Sequence, residues 1–280
     1  MSAKVYLPEM NRDEVKEAVA AGAVLLVPVA TIEQHGPHAP LHTDIDNVTA
    51  ILLEVAQEVT PDPVTLVSAP VWFSNSPFDV ERYPGGIHIR DEVFKAALND
   101  ILESYLRGGF KKIALVNGHG GGTEWVVPEV VRKLNRKESS LWPEWRIPAE
   151  AQVVTFEYFA LLEVFAGEEL EALRSNPPGS DWHAGDLETA LQLFLHPELV
   201  DLSKARPGHR YRPLKFAPHD LGRNWFWQYI LCGYPPAAGE RGEVEAVSGD
   251  PTLASAELGE KTFRLAVKTL AEFVREFAQR

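Results

Sequence analysis

The chain lacks several features that whole classes of protein require. It has one cysteine, Cys232, in 280 residues, so an internal disulfide is excluded and we expect a reducing, cytoplasmic location. It has 27 Lys and Arg against 40 Asp and Glu, a net charge of −13. No basic run occurs, so we expect no nucleic-acid partner, because such binding relies on clustered cations. No apolar run is long enough to span a bilayer, so we expect no membrane partner. The N-terminal stretch MSAKVYLPEMNRDEV has no apolar segment of the kind found in signal peptides, so we expect none.

The apolar residues that are present follow an alternating pattern of strands and helices. Short Val-rich runs predict strands buried on both faces, and longer amphipathic stretches between them predict helices. This alternation indicates an α/β fold with a mostly parallel sheet. We predict strands at 23–30, 65–71, 111–117 and the start of 151–159, and helices at 11–21, 47–59, 91–109, 123–137, 186–196 and 252–278.

Residues 197–250 break this rhythm, because they are rich in proline, glycine and aromatic side chains. Irregular segments of this length are usually functional. We therefore predict a single domain over residues 1–280, in which this segment acts as a lid or an oligomer contact.

The first stretch with candidate metal ligands follows the predicted strand 23–30 and reads TIEQHGPHAPLHTDID. Glu33 and His35 are two residues apart, so they point to the same side of an extended chain. Asp44 can return to them through the bends at the intervening glycine and prolines. Carboxylates mixed with imidazoles suit Zn, Mn or Fe. The alternative is a polar loop without a ligand.

The second stretch, NGHGGG, follows the strand 111–117 and carries His119 among glycines. Ligands of open α/β sheets bind beyond the carboxyl ends of the strands, so we expect His119 to approach the first stretch. The alternative is a glycine-rich turn that binds a phosphate. That turn would lack both the lysine of a P-loop and the GxGxxG spacing.

The third stretch, DWHAGDLET over residues 181–189, leads into a predicted helix. Asp186 and Glu188 are two residues apart and cannot share a helix face, so only one of them should belong to a site. Asp186 is equally interpretable as the helix N-cap. For His183 and Glu188 the alternatives are a structural histidine and a solvated helix face. We predict no role for His196, His209 or His219.

These stretches resemble the creatininase (creatinine amidohydrolase) family. The resemblance rests on IEQHGPHAPLHTD (32–44), VNGHGG (116–121) and HAGDLET (183–189), with a weaker match at YPGGI (83–87). It implies a three-layer α/β/α fold, a centre of two divalent metal ions (Zn, Mn or Fe) and a homo-oligomer, for which a hexamer is possible.

The resemblance also implies roles for individual residues. Glu33 and His119 would bind one metal ion, His35 would bind the other and Asp44 would bridge them. Creatininase has a carboxylate ligand where this chain has Gly121, so we assign that place to Glu188. His183 matches the catalytic histidine, and we count Glu188 as a catalytic candidate too. Further candidate contacts to the ligands or the substrate are Gln34, His38, Ser76, Asn117, Trp182 and Asp186.

The hypothesis is a metal-dependent hydrolase in which activated water attacks an amide or cyclic amide of a small molecule. His183 would give a proton to the leaving nitrogen. Two alternatives stay open. One is a hydrolase of the same fold that opens a ring ketone or lactone, and the other is a non-catalytic metabolite-binding protein.

Overall fold

The computed structural model describes residues 4–76, 80–121, 123–176, 183–208 and 247–280 of the chain. Outside these residues lie Trp182, His209, His219 and most of the predicted lid or oligomer contact. What the sequence analysis expects of them therefore stays a prediction. The single domain also stays a prediction. The chain divides into two compact units. Unit 1 comprises Met1–Glu33, Asp44–Tyr158 and Val267–Arg280, and unit 2 comprises Gln34–Thr43 and Phe159–Ala266.

The strands of unit 1 form one parallel sheet. They are β1 (Val24–Val29), β2 (Thr65–Val67), β3 (Lys112–Asn117) and β4 (Gln152–Glu157), in the order β2-β1-β3-β4. All residues of β1 are buried, as the continuous apolar run predicted. The predicted strand 65–71 was too long, because β2 ends before Pro70, which has no N–H to donate to a ladder. Val71 pairs with Val29 only as an isolated bridge.

The helices agree with the predicted pattern in most places. Two differences matter: α2 begins at Thr43 rather than at residue 47, and α5, which follows β4 directly, was not predicted. No helix in the described ranges combines the length and apolar character needed to cross a bilayer. The helices are α1 (Arg12–Ala20), α2 (Thr43–Val59), α3 (Asp91–Arg107), α4 (Thr123–Asn135), α5 (Tyr158–Leu173), α6 (Asp186–Leu195) and α7 (Ala256–Gln279).

Helices cover both faces of the sheet. Odd-numbered residues of β1 and β3 pack with α1, α3 and α4 in one hydrophobic cluster that includes Leu25, Phe94 and Val130. On the opposite face, Phe273 of α7 packs against Phe156 of β4, with ring centroids 4.7 Å apart. Arg275 of α7 also pairs with Glu58 of α2. The three-layer α/β/α arrangement is therefore confirmed.

Glu103 of α3 is a fully buried carboxylate that fastens the loop after α4. Its oxygens accept hydrogen bonds from the Ser139 hydroxyl at 2.6 Å, the Ser140 N–H at 2.7 Å and the Leu141 N–H at 3.0 Å. Asn99 donates a further bond. Burial by itself raises the pKa of Glu103, but these donors outweigh burial and hold the pKa below its usual value.

We expect Glu103→Ala to destabilise unit 1 by about 3 kcal/mol, because buried donors lose their acceptor. A lowered folded-state pKa means that Glu103 stabilises the protein fully above the unfolded-state pKa of about 4.3. That contribution is lost as the pH falls through the folded-state pKa. Urea unfolding of wild type and Glu103→Gln at several pH values checks this. The difference between them should shrink below pH of about 4, and a constant difference would contradict the assignment.

Candidate metal centre

Two strands bring the first candidate ligands to one edge of the sheet. In the parallel pair of β1 and β3, Val29 lies beside Asn117, and the Gly118 N–H donates to the Val29 carbonyl at 2.9 Å. Glu33 and His119 follow shortly after these positions. Both therefore leave the sheet at its carboxyl edge, where the strand order predicts ligand binding.

Glu33, Asp44 and His119 meet in unit 1 and form what we call the sheet-edge cluster. Nδ1 of His119 lies 3.2 Å from Oε1 of Glu33 and 3.2 Å from Oδ2 of Asp44. The three side chains are between 1% and 3% exposed. One ligand atom from each lies within 4.8 Å of the others.

Asp44 reaches the cluster from the first turn of α2, not from a loop as the sequence suggested. The close approach of α2 to the end of β3 depends on Gly118. A Cβ atom at this position would lie 2.7 Å from the Asp44 carbonyl oxygen and 2.9 Å from a methyl group of Val48. The glycine before His119 therefore has a packing role.

Hydrogen bonds to its own backbone orient His119. The Asn117 amide donates to the His119 carbonyl at 2.6 Å and accepts from the His119 N–H at 3.1 Å. The Thr123 hydroxyl donates to the same carbonyl at 3.0 Å. Asn117 thus acts on the backbone of the candidate ligand. Thr123 was missed, although a threonine at the start of a predicted helix is a recognisable signal.

The electrostatics of the sheet-edge cluster favour a cation. Burial alone lowers the pKa of His119, but the charges and hydrogen bonds of Glu33 and Asp44 raise it well above its ordinary value. Two buried carboxylates therefore attract positive charge to the imidazole nitrogen. A divalent ion satisfies the same demand.

The donor set also fits a transition metal. Nitrogen and carboxylate ligands bind zinc at about 2.1 Å, so two ligands in a tetrahedral arrangement lie about 3.4 Å apart. The distances of 3.2 Å in the cluster are close to this spacing. Carboxylates with an imidazole are typical of Zn, Mn and Fe sites. Ser76 supports the arrangement, because its hydroxyl donates to Oε2 of Glu33 at 2.9 Å.

A second group, here called the His35 cluster, lies in unit 2 and contains Gln34, His35, His183 and Glu188. Nε2 of His35 is 3.6 Å from Oε2 of Glu188. The rings of His35 and His183 have centroids 4.4 Å apart. Nε2 of His183 lies 2.7 Å from the Gln34 carbonyl and 2.8 Å from the Gln34 amide nitrogen.

His38 supports the turn at Ala184, which directly follows His183. Its Nε2 lies 3.2 Å from the Ala184 carbonyl and 3.1 Å from the Thr189 hydroxyl. Burial lowers the pKa of His38 to about 4, so the ring is neutral near pH 7. The Ala184 N–H donates to Oε2 of Glu188 at 2.6 Å, so this turn also aims Glu188.

Asp186 and Glu188 point to different partners, as their spacing predicted. Asp186 is fully buried, and its Oδ1 lies 2.8 Å from Nη2 of Arg174. The N-cap interpretation of Asp186 is wrong, because Gly185 occupies that position and Asp186 begins the helix. Nothing in the sequence near Asp186 indicated Arg174, which lies twelve residues upstream.

A protein-family model described as "Creatininase: Creatinine amidohydrolase" matches residues 8–274. The chain belongs to the creatininase family. Members of this family are metal-dependent hydrolases, and several are named for the cleavage of C–N bonds. The prediction of a metal-dependent hydrolase is confirmed at this level.

Relatives within the creatininase family differ in the substrates that their names state. The 3-dehydro-scyllo-inosose hydrolase of Thermotoga maritima is 27% identical over 99% of this chain and 84% of its own length. The creatinine amidohydrolase of Pseudomonas putida is 25% identical over 99% of this chain and 98% of its own length. The mycofactocin precursor peptide peptidase of Mycolicibacterium smegmatis is 28% identical over 91% of this chain and 85% of its own length.

Solved creatininase structures share the fold. A crystal structure of creatinine amidohydrolase superposes with a TM-score of 0.73 at 22% identity, covering 98% of both chains. A zinc–zinc form has a TM-score of 0.71 at 24% identity, and a manganese form has 0.71 at 23%, each again covering 98% of both chains. At these identities the likeness establishes the architecture.

Proposed function

We propose that this member of the family uses a dinuclear metal centre to hydrolyse an amide or cyclic amide of a small molecule. The observation that carries the proposal is the sheet-edge cluster. Glu33, Asp44 and His119 converge there with almost no exposure to solvent. Burying a charged carboxylate is unfavourable in free energy unless a cation compensates its charge. This donor set would hold the first ion.

His35 and Glu188 would hold the second ion, and the family resemblance implies that Asp44 would be a ligand of both ions. The distance of 3.6 Å between Nε2 of His35 and Oε2 of Glu188 suits two ligands of one ion. Gln34 alone separates Glu33 from His35 in the sequence. One proposed ligand of each ion, Glu33 and His35, therefore lies within the same three-residue stretch of the chain.

Divalent ions at such a centre lower the pKa of water and polarise a carbonyl group. His183 would give a proton to the leaving nitrogen, because imidazole titrates near neutral pH. Gln34 would hold the His183 ring at its Nε2 edge. The Ala184 N–H orients the Glu188 carboxylate. Glu188 would supply a negative charge to the second ion, which the neutral ring of His35 does not.

The names of two relatives support an amide substrate, and one of them, creatinine amidohydrolase, names a small molecule. Creatinine amidohydrolase and the mycofactocin precursor peptide peptidase both take their names from amide cleavage. Zinc and manganese are supported by the zinc–zinc and manganese creatininase structures, and iron follows from the family resemblance alone. A cytoplasmic homo-oligomer, such as a hexamer, is part of the same proposal.

A second candidate is the opening of a ring ketone, which the 27% identity to the inosose hydrolase over 99% of this chain favours. The products separate the two reactions. Amide hydrolysis releases an amine, formate or a peptide fragment, whereas ring-ketone hydrolysis breaks a carbon–carbon bond and releases no nitrogen. Mass spectrometry of reactions with creatinine, N-formyl compounds and oxidised inositols distinguishes them.

Elemental mass spectrometry tests the metal centre directly. We expect about two equivalents of Zn, Mn or Fe per chain in protein purified without chelators or a histidine tag. One equivalent would contradict the dinuclear assignment and leave a mononuclear hydrolase. No metal, even after incubation with each ion, would overturn the proposed chemistry and favour the metabolite-binding alternative.

A further inference from the structure

A short extended segment next to the sheet-edge cluster has no part in the chemistry described so far. The Ile87 N–H donates to the Ile32 carbonyl at 2.9 Å, and the Ile89 N–H donates to the Ser74 carbonyl at 3.1 Å. The segment 87–89 therefore contacts both the chain that leads into Glu33 and the chain that leads into Ser76. His88 stands at its centre and is exposed.

The His88 ring is attached to the backbone of Ser76. Its Nδ1 lies 2.7 Å from the Ser76 carbonyl oxygen and 3.2 Å from the Ser76 nitrogen. A protonated Nδ1 donates to the carbonyl, and an unprotonated Nδ1 accepts from the N–H. The ring is held on the same residue in either tautomer.

Ser76 in turn hydrogen-bonds a candidate metal ligand, Glu33. Its hydroxyl donates to Oε2 of Glu33 at 2.9 Å, and the other carboxylate oxygen, Oε1, lies 3.2 Å from Nδ1 of His119. A carboxylate with one oxygen anchored in this way presents the other in a defined direction. Partners of this kind orient metal ligands, and their loss commonly weakens metal binding by about 10- to 100-fold.

We propose that His88 is a positioning residue for the metal ligand Glu33 and acts through Ser76. The inference rests on the proposed function, because it requires a metal ion at Glu33. It assigns a role in metal affinity to an exposed histidine that lies outside every motif shared with the family. The side chain needs only one feature for this role, a hydrogen-bonding atom at the position of Nδ1.

Two isosteric substitutions test that feature. The side-chain amide of asparagine places a polar atom where His88 has Nδ1, whereas the amide of glutamine reaches the position of Nε2. Zinc affinity, measured by competition with a chromogenic chelator, should be retained in His88→Asn. It should fall about 10-fold in His88→Gln and His88→Ala. A packing role predicts the reverse order, because glutamine fills more of the space of the ring than asparagine.

A double substitution tests the route through Ser76. Ser76→Ala should weaken zinc binding by about 10-fold or more, and His88→Ala should add nothing in that background. His196→Ala and His196→Asn, at a half-buried histidine in unit 2, are the matched controls and should bind zinc as wild type does. The absorption spectrum of the cobalt-loaded protein should shift in His88→Ala and return in His88→Asn.

Wild-type affinity in all three His88 variants, or a full further loss in the double variant, would overturn the inference while the metal centre stands. A wild-type protein that binds no zinc would instead contradict the proposed function. The two failures are therefore distinguishable in one set of titrations.

Discussion

Replacement of His119 by alanine is expected to release the metal ion of the sheet-edge cluster and to lower kcat by at least about 10³-fold. A bound ion supplies several kcal/mol of transition-state stabilisation, and each 1.36 kcal/mol corresponds to about a tenfold change in rate. His119 contributes the nitrogen that faces both Glu33 and Asp44 at 3.2 Å. Without it, the remaining carboxylates form an incomplete site.

The measurement is metal content per chain, together with kcat on whichever substrate the product screen identifies. The variant should lose about one equivalent, since His35 and Glu188 are untouched. His196→Ala provides the control, because this substitution also removes an imidazole, but from the C-cap of α6, a position predicted to have no role. Wild-type metal content and turnover in His119→Ala would show that the cluster is not the ion site.

The sequence was sufficient to predict that Glu33 and His119 lie at the same edge of the sheet. Both follow short Val-rich apolar runs, which are typical of buried parallel strands, and the carboxyl ends of parallel strands meet at one edge of the sheet. The start of α2 was harder to predict. Three of its first four residues, Thr43, Asp44 and Asp46, are polar, and this stretch was assigned to a loop. The Thr43 hydroxyl nevertheless donates to the Pro40 carbonyl, and the helix begins there.

Local sequence could not predict contacts that depend on distant parts of the chain. His38 looked like a contact to a ligand because of its place in the first motif, but its ring reaches Ala184 and Thr189.

The helix α5 was missed for a different reason. Its sequence is apolar around much of its circumference, so it lacks the one-sided pattern by which helices are recognised. Its start also merges with the end of β4.

Substitutions of the two carboxylates at the start of α6, Asp186 and Glu188, should have different effects. One should lower stability and the other should lower metal content and kcat. Glu188→Gln preserves the shape and an acceptor for the Ala184 N–H, so folding should be retained. It removes the negative charge beside His35, and we expect loss of the second ion and a fall in kcat of about 10²-fold or more. Asp186→Asn should keep both ions but lower the free energy of unfolding by about 3 kcal/mol. It removes the charge of the nearer of two carboxylates that face the buried Arg174 side chain; the other, Glu171, lies 3.8 Å away.

A paired substitution separates the two roles. If Asp186 only balances the charge of Arg174, replacing both by apolar groups in Asp186→Leu/Arg174→Met should recover most of the stability that Asp186→Asn loses. Metal content and kcat should stay near those of wild type in this double variant. Loss of an ion from it, with folding intact, would make Asp186 the additional ligand in place of Glu188. Urea unfolding and elemental analysis of the same preparations therefore decide which carboxylate of α6 serves the metal centre.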